Sequence, residues 1–211
     1  HIRKEDLDQV VEMISHCSRP FVFVGGGAVI ADASKELKEF VYKVHAPVAD
    51  SLMGKGAFDG TDDLYCGMLG MHGTKASNFG VSQCDLLITV GARFSDRVTG
   101  DTARFAKNAK IIQIDVDPAE INKNVMVDAS VIGDVKEVLK RLNPRIEDHN
   151  HDAWIAEVTE LKNKYPLKYD REALTGPGIM EEIYRQTKER DTIIVTEVGQ
   201  NQMWAAQYYK Y

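Results

Sequence analysis

The sequence lacks most of the features that mark a secreted, membrane-spanning or nucleic-acid-binding protein. Its 211 residues contain three scattered cysteines and no CxxC pair, so neither a disulfide framework nor a cysteine zinc site is expected. No apolar run approaches the length of a membrane span, and no signal peptide is visible. The formal charge of -6 disfavours general binding to nucleic acid or to an anionic membrane. These absences favour a reducing compartment, and we expect a cytoplasmic protein.

Recognisable catalytic motifs are missing as well. There is no P-loop, no Ser-His-Asp arrangement and no carboxylate cluster of the kind that binds a metal. His149 and His151 lie close together, but no further ligands are spaced to complete a metal site, so a hydrophilic linker is the better interpretation. The first glycine-rich turn lacks the GxGxxG spacing, which disfavours a nicotinamide dehydrogenase. We therefore expect neither a catalytic residue nor a metal ligand within this chain.

The sequence does contain short, continuously apolar segments that alternate with amphipathic ones. Such alternation predicts an α/β fold, with a Rossmann-like parallel sheet of about six strands flanked by helices. Strands are predicted at residues 21–24, 46–50, 86–90, 111–116 and 129–134, with a further short strand within "LYCGMLGMHGT". Helices are predicted at residues 5–17, around 37–44, at 74–83, after Asp117-Pro118, at 135–142 and at 154–164. A last helix-strand unit follows, with its strand at residues 193–195.

Glycines, carboxylates and arginines follow these strands, most clearly in "LLITVGARFSDRVTG", where a buried-looking strand runs into Arg93, Asp96 and Arg97. The carboxyl ends of parallel strands lie at one edge of a sheet, where ligands bind. Glycine lets backbone N–H groups approach a phosphate, carboxylates suit ribose hydroxyls, and arginine suits pyrophosphate. This combination predicts a dinucleotide site at that edge.

Simpler interpretations exist for each signal. "VGGGAV" is as consistent with a tight strand-to-helix turn as with phosphate contact. The Arg93–Arg97 segment is alternatively a solvated turn in which Arg and Asp pair with each other, which we rank second. His72 is more consistent with a pocket-lining residue than with a catalytic base.

The domain organisation is predicted from changes in composition. Residues 1–143 form the nucleotide-binding domain, residues 144–174 a polar linker with one helix, and residues 175–211 the opening of a second domain. Because the chain starts at His1 and stops just after a new element begins, we interpret it as a piece of a longer protein.

Several motifs taken together resemble the large catalytic subunit of the acetolactate synthases (acetohydroxyacid synthases), which are thiamine-diphosphate-dependent enzymes. The resemblance rests on "RPFVFVGGGAV", "GMLGMHGT", "GARFSDRVTG", "IDVDPAEINKN" and "TEVGQNQMWAAQYY". It implies that the chain is the central, FAD-binding domain of such an enzyme together with the start of the domain that binds thiamine diphosphate through Mg²⁺. The catalytic glutamate and the magnesium motif of the family lie outside this chain, so the chain alone is expected to be inactive.

The resemblance also implies which residues contact each cofactor. The expected FAD-binding residues are Gly25, Gly26, Ser51, Leu52, Leu69, Gly70, Met71, His72, Gly91, Ala92, Arg93, Asp96, Arg97, Val98, Asp115, Val116, Gly133 and Asp134. Part of the thiamine diphosphate site is expected at Val198, Gly199 and Gln200. Asn201 departs from the family pattern, which has His there, and Glu197 replaces a frequent Asp.

The implied reaction joins pyruvate to a second 2-oxoacid, giving 2-acetolactate or 2-aceto-2-hydroxybutyrate for branched-chain amino acid synthesis. The implied partners are a second copy of the large subunit, in a homodimer or a higher oligomer, and a small regulatory subunit. Two alternatives stay open. The first is a non-catalytic nucleotide-binding or assembly module. The second is the central domain of another thiamine-diphosphate enzyme, such as pyruvate oxidase or glyoxylate carboligase.

Overall fold

Six parallel strands form a single sheet in the computed structural model, which describes residues 2–211. The sheet order is β3-β2-β1-β4-β5-β6. The strands are β1 (Pro20–Val24), β2 (Val48–Asp50), β3 (Tyr65–Met68), β4 (Leu86–Val90), β5 (Lys110–Asp115) and β6 (Ala129–Ile132). Helices flank the sheet, and the predicted α/β class with about six strands is confirmed.

The helices are α1 (Lys4–Ser15), α2 (Gly26–Ile30), α3 (Ser34–Val44), α4 (Lys75–Gln83), α5 (Asp96–Thr99), α6 (Val135–Leu142), α7 (Asp152–Lys164), α8 (Gly176–Thr187) and α9 (Gln200–Tyr208). Single 3₁₀ turns occur at Leu52–Gly54, Pro118–Glu120 and Asn143–Arg145. None of the helices in residues 2–211 is both long enough and apolar enough to cross a membrane.

The central strands are buried on both faces, as their continuous apolar sequences predict. Every residue of β1 and of β4 is buried. Alternate side chains enter two separate hydrophobic cores, with Ile88 in one and Leu87 in the other. Helices α1, α3 and α6 cover the first core. Helices α4 and α7 cover the second, and the sheet is therefore the middle layer of three.

Two predicted elements are wrong. The helix expected after Asp117-Pro118 is only one 3₁₀ turn: Asp117 caps its start by accepting the Ala119 N–H, but the chain becomes extended at Ile121 and left-handed at Asn122, where φ is 59°. The strand expected at residues 193–195 does not form. A parallel strand needs hydrogen-bonded neighbours, but Ile193 and Val195 are each 87% exposed and pair with none of the strands in residues 2–211.

Helix α7 packs tightly on the sheet, although it follows the polar segment interpreted as a linker. The Trp154 side chain is 2% exposed, and its indole N–H donates to the Pro20 carbonyl at 2.8 Å. The Arg19 guanidinium lies over the same ring at 4.9 Å and also pairs with Glu157. His151 lies just before this helix, within 2.8 Å of the Val44 carbonyl. The first turn of α7 is thus fixed to the central sheet by apolar, polar and charged contacts.

We predict that Trp154→Phe lowers the free energy of unfolding by about 2–4 kcal/mol, because it leaves the buried Pro20 carbonyl unpaired and a void beside it. Urea denaturation would measure the change. The matched control is Trp204→Phe, at a partly exposed tryptophan whose indole N–H makes no hydrogen bond within residues 2–211. Equal stability of the Trp154 variant and the unsubstituted chain would contradict the prediction.

Candidate functional site

The sheet places the expected flavin-binding residues along one edge. Each group follows the carboxyl end of a strand, and all six strands are parallel, so all six ends face the same way. The groups are Gly25 and Gly26 after β1, Ser51 and Leu52 after β2, Leu69–His72 after β3, Gly91–Val98 after β4, Asp115 and Val116 at the end of β5, and Gly133 and Asp134 after β6. We refer to these residues as the carboxyl edge.

The centre of this edge lies between β1 and β4, where the strand order reverses direction. Ligands of open parallel sheets bind at such a switch point. Here the backbones touch: a Cβ on Gly25 would lie 2.4 Å from the Gly91 carbonyl oxygen, and a Cβ on Gly27 would lie 2.8 Å from the Gly91 Cα. The N–H groups of Gly25 and Gly27 donate to Val90 and Gly91. These two glycines are therefore used for close packing, while Gly26 opens α2 with an N–H that lacks an intrahelical acceptor.

Two arginines project from the segment that follows β4. Arg93 and Arg97 are both exposed, and neither has a carboxylate within 4.0 Å in the described part of the chain. Asp96 accepts a hydrogen bond from the backbone N–H of Arg97 at 2.9 Å instead of pairing with a guanidinium. The alternative of a turn closed by its own Arg–Asp pair is therefore not what the structure shows. Unpaired guanidinium groups are suited to bidentate contact with phosphate.

The loop Leu69–His72 lies against this arginine segment. Gly70 has φ of 102°, and a Cβ on it would lie 2.5 Å from the Arg97 carbonyl oxygen. The next residue, Met71, donates its backbone N–H to that same carbonyl at 2.9 Å. The Arg97 guanidinium in turn lies 3.7 Å from the Met71 sulfur. Two segments that are distant in sequence therefore form one continuous surface.

The carboxylates of the edge are not equivalent. Asp115 is buried, and its side chain accepts the Asp117 N–H at 3.0 Å. Burial raises the pKa of Asp115, and the nearby Glu120 adds to this, while the hydrogen bond from Asp117 opposes it. Asp134 instead caps α6 by accepting the Glu137 N–H at 3.1 Å. Each carboxylate therefore has one oxygen bonded to a backbone N–H, and the two differ in burial, since Asp115 is buried and Asp134 is exposed.

Exposed apolar side chains stand beside the polar ones. Met53, Met71 and Val116 are 74%, 64% and 67% exposed, which is high for residues of this kind. Methionine adapts readily to aromatic ligands. Together with the arginines, these side chains fit an elongated ligand that is anionic in one part and flat and apolar in another.

A cleft lies between the end of β3 and α9, to one side of the carboxyl edge. Its lining includes His72 and a triad formed by the buried Asp50 and the partly buried Lys55 and Tyr65. The Lys55 Nζ is 3.1 Å from Asp50 Oδ1, and the Tyr65 hydroxyl donates to Asp50 Oδ2 at 3.0 Å. Burial raises the pKa of Asp50 and of Tyr65 and lowers the pKa of Lys55. Because Lys55 follows the Leu52–Gly54 turn, the triad ties that turn to β2 and β3.

Val198, Gly199 and Gln200 lie at the start of α9, where all three are exposed. They make no hydrogen bond to the carboxyl edge in the part of the chain that the structure describes. The other end of α9 does reach it, because the Gln207 side chain donates to the His72 carbonyl at 2.9 Å. The structure therefore does not merge the residues expected for the two cofactors into one site.

Sequence reasoning missed several residues that shape the edge. Asn78 and Asn124 each hold one of its loops by a side-chain amide, and the Asp50–Lys55–Tyr65 triad anchors a third. Of these residues, only Asn78 could have been noticed from the sequence, because asparagine is unfavourable inside a helix unless its side chain forms a hydrogen bond elsewhere. Within residues 2–211 no group of His, Cys, Asp or Glu side chains is arranged to hold a metal ion.

Comparison with known proteins identifies the class. The family described as "Thiamine pyrophosphate enzyme, central domain" matches residues 7–142, and the chain belongs to that family. The match covers the whole six-stranded sheet and ends at the last residue of α6.

Particular relatives narrow this further. The chain is 43% identical to the "Probable acetolactate synthase large subunit" of Methanocaldococcus jannaschii, with 97% of this chain and 36% of the relative aligned. It is 42% identical to the "Acetolactate synthase large subunit" of Cyanidium caldarium, with the same shares of each protein aligned. It is 44% identical to "Acetolactate synthase 2, chloroplastic" of Nicotiana tabacum, over 97% of this chain and 32% of the relative. The chain spans about a third of the length of these curated relatives.

The glycine contact at the switch point gives a stability prediction. Gly25→Ala is expected to lower the free energy of unfolding by about 3 kcal/mol or more, because its Cβ would overlap backbone atoms that cannot move aside. The control Gly26→Ala should cost less, since its Cβ would lie 3.1 Å from the Met53 Cβ and 3.3 Å from the Met53 carbonyl oxygen, contacts that are longer than those at Gly25 and need only a small displacement. Urea denaturation compares the two, and equal losses would contradict the packing argument.

The buried carboxylate gives a pH-dependent prediction. The raised pKa of Asp115 means that folding disfavours its ionised form, so a penalty is present above that raised pKa and absent below the ordinary value of 3.8. Asp115→Asn keeps the acceptor for Asp117 and removes the penalty. The variant should unfold at higher urea concentration at pH 7, and the difference should vanish as the pH falls to about 3. A variant no more stable than the unsubstituted chain at pH 7 would contradict this.

Proposed function

We propose that the carboxyl edge binds FAD, and that the chain serves as the FAD-binding domain of a thiamine-diphosphate-dependent carboligase of the acetolactate synthase type. One observation carries the proposal. Two guanidinium groups without carboxylate partners stand at the switch point of a parallel sheet, in a protein whose formal charge is -6. Two extra cations at the switch point do not improve the solubility of an acidic protein, but they would stabilise the phosphates of an anionic dinucleotide bound there.

The residues present fit the parts of FAD. Arg93 and Arg97 would hold the pyrophosphate, beside the free N–H of Gly26. The other oxygen of Asp115 would accept a ribose hydroxyl on the adenosine side, with Val116 alongside. Met53 and Met71 would cover the flat apolar ring. The Leu69–His72 loop, joined to the Arg97 carbonyl, would line the ligand between these parts.

The activity of the whole protein is part of the same proposal, and the names of the relatives support it. We infer that it joins pyruvate to a second 2-oxoacid, with thiamine diphosphate supplying the carbanion chemistry and Mg²⁺ binding its diphosphate. Residues Val198–Gln200 would contribute to the diphosphate region. The role of this chain would be to bind and orient the cofactor. By itself it is expected to be inactive.

The proposed assembly is a homodimer or a higher oligomer of the large subunit. A small regulatory partner is part of the proposal as well, because two of the relatives are named as large subunits.

A cytoplasmic location is proposed from the three cysteines, all of which are free thiols in the structure. Burial raises the pKa of Cys66 and of Cys84 to about 12, so both are poorly reactive.

Titration with FAD, NAD and ADP tests the binding proposal, followed by calorimetry and flavin fluorescence. The chain should bind FAD in preference to NAD. Each charge-assisted hydrogen bond contributes about 1.5–3 kcal/mol, so Arg93→Ala/Arg97→Ala should weaken FAD binding at least about 100-fold. Higher salt should reduce the difference between the double variant and the unsubstituted chain.

The matched control is Arg141→Ala/Arg190→Ala. These two arginines also lack a carboxylate within 4.0 Å among residues 2–211, but they lie in the last turn of α6 and just after α8. Their removal changes the net charge equally and should leave the affinity for FAD within about threefold. If both double variants weakened binding alike, net charge would be the cause and the arginine site would be refuted. Failure of the unsubstituted chain to bind any nucleotide would favour an assembly module instead.

A further inference from the structure

Asn78 holds the Leu69–His72 loop from the side of α4. Its side-chain oxygen accepts the Gly70 N–H at 3.2 Å, and its side-chain N–H₂ donates to the Gly70 carbonyl at 3.0 Å. The same N–H₂ lies 2.9 Å from the Thr74 carbonyl. Both peptide groups of Gly70 are thus bonded to a single amide. This bracket holds Gly70 at the positive φ that directs the Met71 N–H toward Arg97.

Asn124 holds the facing loop by a single side-chain hydrogen bond. It lies in the connection between β5 and β6, and its side-chain N–H₂ donates to the Phe94 carbonyl at 2.8 Å. Phe94 is buried, and it separates Ala92-Arg93 from the short helix that carries Arg97. The backbone on which both arginines stand is therefore fixed at Phe94 by a side chain from another segment.

The two bracketed loops meet directly. The Met71 N–H donates to the Arg97 carbonyl at 2.9 Å, so the position of each loop depends on that of the other. Within residues 2–211 the two arginine side chains have no partner except the Met71 sulfur near Arg97. Their positions are therefore set through the backbone, to which the two asparagines supply side-chain hydrogen bonds at Gly70 and Phe94.

We infer that Asn78 and Asn124 are positioning residues for the dinucleotide site, which they prepare by fixing the Leu69–His72 and Arg93–Val98 loops against each other. This inference rests on the proposed FAD site. Neither asparagine needs to touch the ligand. Removing either amide keeps both arginines in the chain but lets the backbone that carries them move. Ligand binding must then order these loops, and the free energy of ordering them lowers the affinity.

The test compares Asn78→Ala, Asn124→Ala and the double variant by FAD titration. Each single change removes one or more hydrogen bonds and should raise the Kd for FAD about tenfold. The double variant should raise it by less than the product of the single effects, because both residues support one joint arrangement. The visible circular dichroism of FAD at saturation should change in each variant, since the loops would hold the ring differently.

Folding and positioning can be separated. Alanine has the higher helix propensity at position 78, which offsets part of the lost bonding in the stability of the chain but not in the order of the loop. Amide hydrogen exchange at Gly70 and Met71 should accelerate in Asn78→Ala while the exchange of the β4 amides is unchanged. Asn124→Gln, which keeps an amide donor, should restore most of the affinity lost in Asn124→Ala.

The matched control is Asn108→Ala. Asn108 is exposed, makes no side-chain hydrogen bond in the described chain, and precedes β5 at the opposite edge of the sheet. Its substitution should leave the Kd and the dichroism unchanged. If the unsubstituted chain bound FAD and the Asn78 and Asn124 variants bound it equally well, with the same dichroism, the inference would be overturned and the proposed function would stand. If the unsubstituted chain bound no FAD, the proposed function would fail and the inference with it.

Discussion

The direct contact between the backbones of Gly25, Gly27 and Gly91 is the constraint on which the carboxyl edge depends. These glycines let β1 and β4 end against each other, with N–H groups from the first turn donating to Val90 and Gly91 across the gap. A side chain at any of the three would separate the strand ends. Close contact here is possible only because no Cβ intervenes, and Gly91 also adopts φ of 60° to turn the chain away. The turn then directs Arg93 and Arg97 to the edge of the sheet.

The second requirement is that irregular loops stay ordered. The loop after β3 and the segment after β4 have no strand partners, so their backbone groups must be satisfied individually. Leu69 donates to Asp50, Gly70 to Asn78, and Met71 to Arg97. Side chains from α4 and from the β5–β6 connection supply the remaining bonds. The loops of the edge are therefore held by hydrogen bonds within the protein, which is the arrangement that a preorganised binding site needs.

The sequence could predict the sheet because the signal is local. Continuous apolar runs at Pro20–Val24 and Leu86–Val90 identify buried strands, and the fold follows from their alternation with helices. It could also predict which residues share the carboxyl edge, since parallel strands place their ends together. Prediction from the sequence failed where an element or a contact depends on residues far away in the chain. The apolar stretch around Ile193 and Val195 has strand character but no neighbouring strand, and the Asn124–Phe94 contact joins positions thirty residues apart.

Charge explains why the arginine segment is unusual. Among residues 2–211 most arginines pair with carboxylates, including Arg19 with Glu157 and Arg145 with Asp8. The sequence has 32 acidic residues against 26 basic ones, so carboxylate partners for arginine are plentiful. Arg97 adjoins Asp96 and still forms no ion pair with it, because the backbone holds the two charged groups apart. The backbone does this: Asp96 accepts the Arg97 N–H, and the Met71 bond fixes the Arg97 carbonyl. Screening limits the reach of the surrounding negative charge to about 8–10 Å at physiological salt. A pair of free guanidinium groups can therefore keep a local positive field on an acidic protein, which is what binding an anionic dinucleotide requires.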